Sequence, residues 1–275
     1  MGVKFGQWLS RWPEKYKLTY ISVRDSSWLN VDFSEYDVLL HTAALVHSQE
    51  SKLEENDYFK INVELTRKLA EKAEKEGIKQ FIFMSSFSVF GENGGVRGKV
   101  VLNDEHECCP TSFYGKSKLQ AEAILKKVVS NNLVIVRAPM IFGPSCPGNY
   151  DRLRSFALRA KVFPKVENYR SMIYVDHLSE FLKLVIDHQT TGTFVPQNNE
   201  YINTSDMVRL IAYHNGRTIK LSPLLGKVMM VAKQSRLIKK VFGNLMYDLH
   251  SSSYFGYSYN LFSLSECIRL CEENK

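Results

Sequence analysis

Phe81-Ile82-Phe83-Met84-Ser85-Ser86-Phe87-Ser88-Val89-Phe90-Gly91 is the stretch that decides how this chain folds. Its first four residues are apolar without a break, the pattern of a strand buried on both faces rather than one. Strands of that kind belong to parallel sheets covered by helices on each side. The run delivers Ser85 and Ser86 to the strand's carboxyl end, where open α/β sheets bind ligands. Without further context, a serine closing a strand is a turn former.

Downstream lies Tyr114-Gly115-Lys116-Ser117-Lys118. Tyr114 and Lys118 share one face of a helix, because positions i and i+4 stack. A lysine there can hold its ammonium near the phenol and lower a pKa that is otherwise about 10. A phenol tuned this way can exchange a proton with a substrate hydroxyl while a cofactor moves a hydride. By itself Tyr-x-x-x-Lys is an ordinary neighbour contact on a solvated helix. This helix runs to about Val129, and Leu133 to Val136 makes the next strand.

Upstream, Asp37 to Thr42 reads as a strand ending in His41-Thr42-Ala43-Ala44, whose small residues would let a flat ligand approach the backbone. Leu18 to Val23 is a further strand candidate. A helix from Glu55 to Glu76 turns Phe59, Val63, Leu69 and Ala73 inward and stops at Gly77, with Asn62 among its apolar positions. At the start, Phe5, Trp8, Leu9 and Trp12 recur at helical spacing up to Pro13. Beyond residue 145, Asp176 to Ile186, Ser205 to Tyr213 and Ser263 to Cys271 are amphipathic helices. Leu224 to Val241 mixes apolar residues with Lys227, Lys233, Arg236, Lys239 and Lys240; it reads as a lobe helix with a solvated basic face rather than a membrane-surface element.

The chain has 275 residues, 44% of them hydrophobic and 24% charged, which suits one large α/β unit with an attached lobe. A formal charge of +7 favours anionic ligands, and no Arg/Lys stripe with interleaved aromatics points to nucleic acid. Cys108, Cys109, Cys146, Cys267 and Cys271 make no Cys-x-x-Cys pair and no metal spacing, so they read as reduced thiols. His106 has no metal partner at a suitable spacing. No apolar run approaches the ~20 residues of a membrane span, and no signal-peptide pattern opens the chain, so a cytoplasmic location is expected.

Taken in order, these motifs are joined by Asn62-Val63, Arg137-Ala138-Pro139-Met140-Ile141-Phe142-Gly143-Pro144 and Arg170-Ser171-Met172-Ile173-Tyr174-Val175-Asp176. From Gly2 to about residue 215 the chain resembles the extended short-chain dehydrogenase/reductase family, in its sugar-nucleotide epimerase/dehydratase branch. The resemblance implies a Rossmann-like, doubly wound, mainly parallel sheet over 1–144 and a substrate-binding lobe over 145–275, interleaved with remaining sheet elements. It implies Tyr114 as acid/base, Lys118 as its tuning partner and Ser86 as the hydroxyl that orients the sugar. Cofactor-side residues would be Gly2, Thr42, Ala43, Ala44, Asn62, Ser85, Tyr114, Lys118 and Pro139. The substrate would meet Ser86 and Arg170, whose planar guanidinium suits a diphosphate.

By the same resemblance the cofactor is NAD, with NADP left open by Ser22, Arg24 and Asp25, and the substrate is a nucleotide sugar. Phe87 and Ser88 follow Ser86 where a dehydratase often has Asp-Glu, so epimerisation or 4-keto reduction is expected rather than dehydration. A homodimer is compatible with the family. There are three departures. Only Gly2 stands for a glycine-rich turn, which implies a late start or a truncated, degenerate member with weak cofactor binding. Met140 stands in place of a common asparagine, and His177 in place of a common aspartate. A missing first strand should leave a groove beside Leu18–Val23 and marginal stability.

Overall fold

In this computed structural model the described residues are 1–46, 54–91, 101–144, 146, 149–231 and 235–273. The strands are β1 (Val38–His41), β2 (Gln80–Met84), β3 (Val101–Leu102), β4 (Leu133–Val136), β5 (Met140–Phe142), β6 (Val162–Pro164), β7 (Met172–Tyr174), β8 (Gly192–Phe194), β9 (Lys220–Ser222) and β10 (Met246–Tyr247). The helices are α1 (Gly2–Leu9), α2 (Glu55–Phe59), α3 (Leu65–Lys75), α4 (Phe113–Val128), α5 (Asn149–Arg159), α6 (Val175–Asp187), α7 (Thr204–His214), α8 (Pro223–Val231), α9 (Arg236–Phe242) and α10 (Leu264–Glu273). The chain divides into two units, the first of residues 1–92, 107–138 and 179–196 and the second of 93–106, 139–178 and 197–275. The exchange between units therefore begins near 139, and residues 101–106 belong with the second unit.

The first unit is built on a parallel sheet in the order β1-β2-β4-β8. β2 has a partner on each edge, and all five of its residues are buried, as its unbroken apolar run requires. One face is covered by α3 and α4, whose Leu69, Ala73, Ala121 and Leu125 pack with Phe81 and Phe83. α1 is tied to α6 by the Trp8 indole, which donates to Glu180 at 2.9 Å. Tyr16 donates to Asp187 at 2.5 Å, and Gln80 Nε2 donates to the carbonyls of Val185 and Thr190.

Leu18–Val23, expected as a strand, pairs with nothing in the sheet and carries no strand assignment. Its residues nevertheless keep a period of two: Thr19, Ile21 and Val23 line a groove of about 140 Å³ whose other wall is Val38 to Ala43. Leu18 and Tyr20 point outward, 39% and 62% exposed. An extended segment becomes a strand only when its backbone groups find a neighbouring ladder, and the groove separates this one from β1. The groove expected beside Leu18–Val23 is there.

The helix expected over Glu55–Glu76 is continuous but not uniform. Between α2 and α3 the turn Lys60–Glu64 is wound as a π-helix, and Asn62 sits in it. A π turn re-aims the side chains it contains, and such turns recur at functional positions.

The second unit pairs its strands in twos, all parallel: β5 with β7, β6 with β9, and β3 with β10. α7 packs between α5 and α10. Glu272 on α10 accepts from Tyr150 at 2.8 Å and pairs with Arg154 at 2.6 Å. The Leu224–Val241 segment is two helices, α8 and α9, not one; residues 232–234 between them lie outside the described residues, as do 92–100 of the polar loop. His177 is fully buried and neutral, its pKa pulled down by desolvation. Its Nδ1 faces the Asn198 oxygen at 2.9 Å, and its Nε2 accepts from the Phe262 N–H at 3.1 Å. It is a satisfied core group of this unit.

Candidate functional site

β2 ends at Met84, and the chain breaks from the sheet at Ser85-Ser86 into a 3-10 turn, Phe87–Phe90. Ser86 caps that turn: its hydroxyl accepts from the Ser88 N–H at 3.2 Å and meets the Ser88 hydroxyl at 3.0 Å. The turn is held from below by Phe87 N–H donating to the Ala138 carbonyl at 2.9 Å, just past β4. α4 lies directly against it. Gly115 makes that approach feasible, because a Cβ there would sit 2.6 Å from the Ser88 carbonyl oxygen and 3.0 Å from Pro110 Cβ. The result is that Tyr114 and Ser86 share a hydrogen bond.

Burial raises the Tyr114 pKa, and the Ser86 hydrogen bond only partly offsets this. That corrects the expectation of a phenol tuned downward by Lys118. The lysine is 2% exposed, and its Nζ donates to the Met84 carbonyl at 2.8 Å and lies 4.5 Å over the Phe83 ring. Desolvation lowers its own pKa to about 7, with the Glu122 carboxylate acting in the opposite direction. The helical spacing puts Tyr114 and Lys118 on one face, but the lysine head is anchored at the strand end.

Two networks brace this arrangement. Glu122, one turn past Lys118 and 1% exposed, accepts from Ser85 at 2.5 Å and takes Arg137 bidentately, with NH2 at 2.8 Å. Ser85, expected on the cofactor side, thus has its hydroxyl engaged by a carboxylate. Asn62 is fully buried; its oxygen accepts from Leu45 N–H at 2.7 Å, and its amide donates to the Leu45 carbonyl at 3.0 Å and to Ser117 at 2.9 Å. Both amide hydrogens are thereby engaged within the protein. Asn62 ties the segment after β1 to α4.

That segment is Thr42-Ala43-Ala44, half-buried past the end of β1. Gly2 opens α1 against it: a Cβ on Gly2 would meet Thr42 Oγ1 at 3.3 Å. His41 beneath is buried, stacked on Phe83, 2.9 Å from Thr66 Oγ1, and held neutral, its pKa lowered to about 3 by burial and by Lys118. Asp25 caps a local turn, accepting from the Ser27 N–H at 2.9 Å. Pro139 is buried directly after Ala138 and belongs to the second unit, as does half-buried Arg170. Burial draws the Arg170 guanidinium below its ordinary range.

Lys118 and His41 both bind fewer protons folded than unfolded, Lys118 between about pH 7 and the ordinary lysine range near ~10.4, and His41 between about 3 and its ordinary ~6.5. Stability therefore rises with pH across each window and is lost as pH falls through it. In thermal melts from pH 7 upward, Lys118→Met should flatten the rise; an unchanged slope would mean that another group carries it.

Among the described residues, no cluster of His, Cys, Asp and Glu could hold a metal, and no helix is long and apolar enough to cross a membrane.

Residues 7–195 match the NAD dependent epimerase/dehydratase family. The chain is 31% identical over 185 residues to a UDP-glucose 4-epimerase of Vibrio cholerae, covering 64% of this chain and 56% of the relative. It is 33% identical over 177 residues to an N-acetyl-alpha-D-glucosaminyl-diphospho-ditrans,octacis-undecaprenol 4-epimerase of Escherichia coli, covering 62% and 51%. The chain thus spans about half the length of these relatives. The fold is similar to that of the UDP-glucuronic acid 4-epimerase of Bacillus cereus crystallised with NAD, with a TM-score of 0.68, 19% identity and 92% and 79% coverage. It is also similar to the UDP-glucose 4-epimerase of Thermotoga maritima with UDP-glucose, with a TM-score of 0.65, 21% identity and 86% and 76% coverage.

Proposed function

The chain belongs to the NAD dependent epimerase/dehydratase family, and from that premise we propose that it epimerises, or reduces as a 4-ketone, a sugar activated through a diphosphate, with NAD(H) as cofactor. The observation that carries the reading is the hydrogen bond between Tyr114 and Ser86 at the carboxyl end of a buried parallel strand, with Lys118 held one helical turn away. The relatives named above act, by their names, on diphosphate-linked sugars, and the sequence expectation of a nucleotide carrier comes from the same family.

The cofactor fits part of what is present. Tyr114, Lys118 and Ser86 suit the nicotinamide end, and the small Gly2–Thr42 contact suits close approach of the adenosine half. When bound, the cofactor accepts or returns the hydride. The chain's own residues do the rest. Ser86 donates toward the sugar oxygen at the reacting carbon and fixes its orientation. Tyr114, protonated because burial disfavours the phenolate, gives its proton to the ketone oxygen as the carbonyl carbon is reduced. In the oxidative direction the same phenolic oxygen takes the proton back. Buried Lys118 and the Glu122–Arg137 pair keep α4 and the strand end in fixed register, so that the reacting groups start close to their working geometry.

Arg170 is proposed to hold the substrate's diphosphate, binding that is equal in ground and transition states. Arg170→Met should raise KM about tenfold and change kcat little. Steady-state kinetics test this; a large fall in kcat at unchanged KM would remove Arg170 from that role.

A further inference from the structure

Cys108-Cys109-Pro110 touches both elements that carry the proposed site. Gly91 closes the 3-10 turn that begins at Ser86, with a φ of 101°, and a Cβ there would sit 2.9 Å from the Cys109 carbonyl oxygen. Gly115 follows Tyr114 in the first turn of α4, and a Cβ there would sit 3.0 Å from Pro110 Cβ. Glycine at these two positions lets the segment lie against the turn of Ser86 and against the helix of Tyr114. A shift of residues 108–110 is therefore felt on both sides of the Tyr114–Ser86 contact.

The two thiols differ in access. Of the five cysteines, all among the described residues, Cys109 is the exposed one. Cys108 is half-buried, and burial raises its pKa, with nearby Arg137 acting in the opposite direction. Glu122 is also within electrostatic reach, so this thiol faces the buried pair that braces the site. Neighbouring Cα atoms across a trans peptide are about 3.8 Å apart, whereas a disulfide usually spans about 4.4–6.8 Å. A bond between adjacent cysteines is therefore strained and readily reduced, the property of a reversible disulfide rather than a structural one. Closing it also forces the 108–109 backbone to move.

We propose that Cys108 and Cys109 form a modification site for low-molecular-weight disulfides, and that closing a bond between them loosens the contact of Tyr114 with Ser86. The inference goes beyond the proposed function, and its chemistry needs neither NAD nor a sugar. In the first step the Cys109 thiolate attacks one sulfur of the external disulfide. A mixed disulfide forms on Cys109, the external S–S bond breaks, and one thiolate leaves. In the second step the Cys108 thiolate attacks the Cys109 sulfur and expels the other half as a second thiolate. The two cysteine protons end on the two released thiols; the external disulfide gains two electrons, and the cysteine pair loses them. Burial keeps Cys108 from reacting first, and adjacency gives it a high effective concentration once Cys109 is primed. The ring then draws the Cys109 carbonyl and Pro110 away from Gly91 and Gly115, and water reaches the Tyr114 phenol.

The test uses the full chain with oxidised glutathione as the probe and no cofactor or sugar. Mass spectrometry of the peptide holding Cys108 and Cys109 should show the loss of two hydrogens with no glutathione retained. Cys108→Ser should keep one glutathione, on Cys109, and Cys109→Ser should react at Cys108 at least about tenfold more slowly. The Tyr114 phenol is read as the difference in absorbance titration between the unaltered chain and Tyr114→Phe. It should ionise at lower pH after oxidation, because the burial that raises its pKa is relieved, and dithiothreitol should reverse the shift. Glutathione retained on Cys109 of the unaltered chain would overturn the bond between the two cysteines. A closed bond with an unmoved Tyr114 titration would overturn its coupling to the site. No reaction at either cysteine would overturn the whole inference, and each of these failures leaves the proposed function as it stands.

Discussion

Tyr114→Phe should lower turnover by about 10²–10⁴-fold while NAD(H) affinity stays within a factor of about two, because only the proton carrier is lost. The phenyl ring keeps the volume that α4 presents to the 3-10 turn. What disappears is the hydroxyl that Ser86 meets. Turnover of the diphosphate-sugar substrate and calorimetric titration of NAD(H) check the two halves separately. Undiminished turnover would remove Tyr114 from the chemistry. A parallel loss of cofactor affinity would mean that the residue holds the site's shape rather than its proton.

The second large effect falls on stability. Glu122→Ala strands the Arg137 guanidinium and the Ser85 hydroxyl beside β2, and breaking a buried ion pair from one side typically costs about 3–5 kcal/mol. Native stability is only about 5–15 kcal/mol, so this variant should approach unfolding at growth temperature. Replacing both partners, Glu122→Leu with Arg137→Met, should recover most of the loss, since no charge is then left unpaired. Denaturant titration of the single and double variants decides the matter. Equal destabilisation of both would show that Glu122 stabilises through packing and not through its charge.

Neither the Glu122–Arg137 pair nor the Asn62 clamp could be read from the sequence, and the reason is the same for both. Their partners lie 15 and 17 residues away or more, on elements brought together only by the sheet. Local periodicity carries no such information. The π turn at Lys60–Glu64 was equally hidden: the extra residue it absorbs shifts the register, so that Tyr58 rather than the expected Phe59 is buried ahead of it. What could be read were elements whose burial is total or one-sided. β2 and β4 read as apolar runs, and α4 as the helix that carries Tyr114 and Lys118 to about Val129. Leu18–Val23 shows the limit of that reading: its period of two is real, and the ladder that would make it a strand depends on a neighbour that no local pattern reports.

The site follows the same division. Ser86 and Tyr114 could be placed together because each closes or opens a legible element. The direction in which Lys118 points could not, since the Met84 carbonyl that captures it is exposed only where β2 leaves the sheet. Nor could the raised Tyr114 pKa, which comes from burial against the turn that Gly115 admits.

The central claim, that Tyr114 works at a sugar carbon exchanging hydride with NAD, is tested most directly by isotope transfer. The full chain is given oxidised NAD and a diphosphate-linked sugar bearing deuterium at C4, and both the nicotinamide and the sugar are analysed by mass spectrometry during and after a single turnover. The expected result is deuterium that passes to the nicotinamide within the turnover and is either kept there, in a net oxidation, or returned to C4 of the inverted sugar, with transfer about 10²–10⁴-fold slower in Tyr114→Phe. Deuterium lost to water, or transfer at an unchanged rate in Tyr114→Phe, would contradict it.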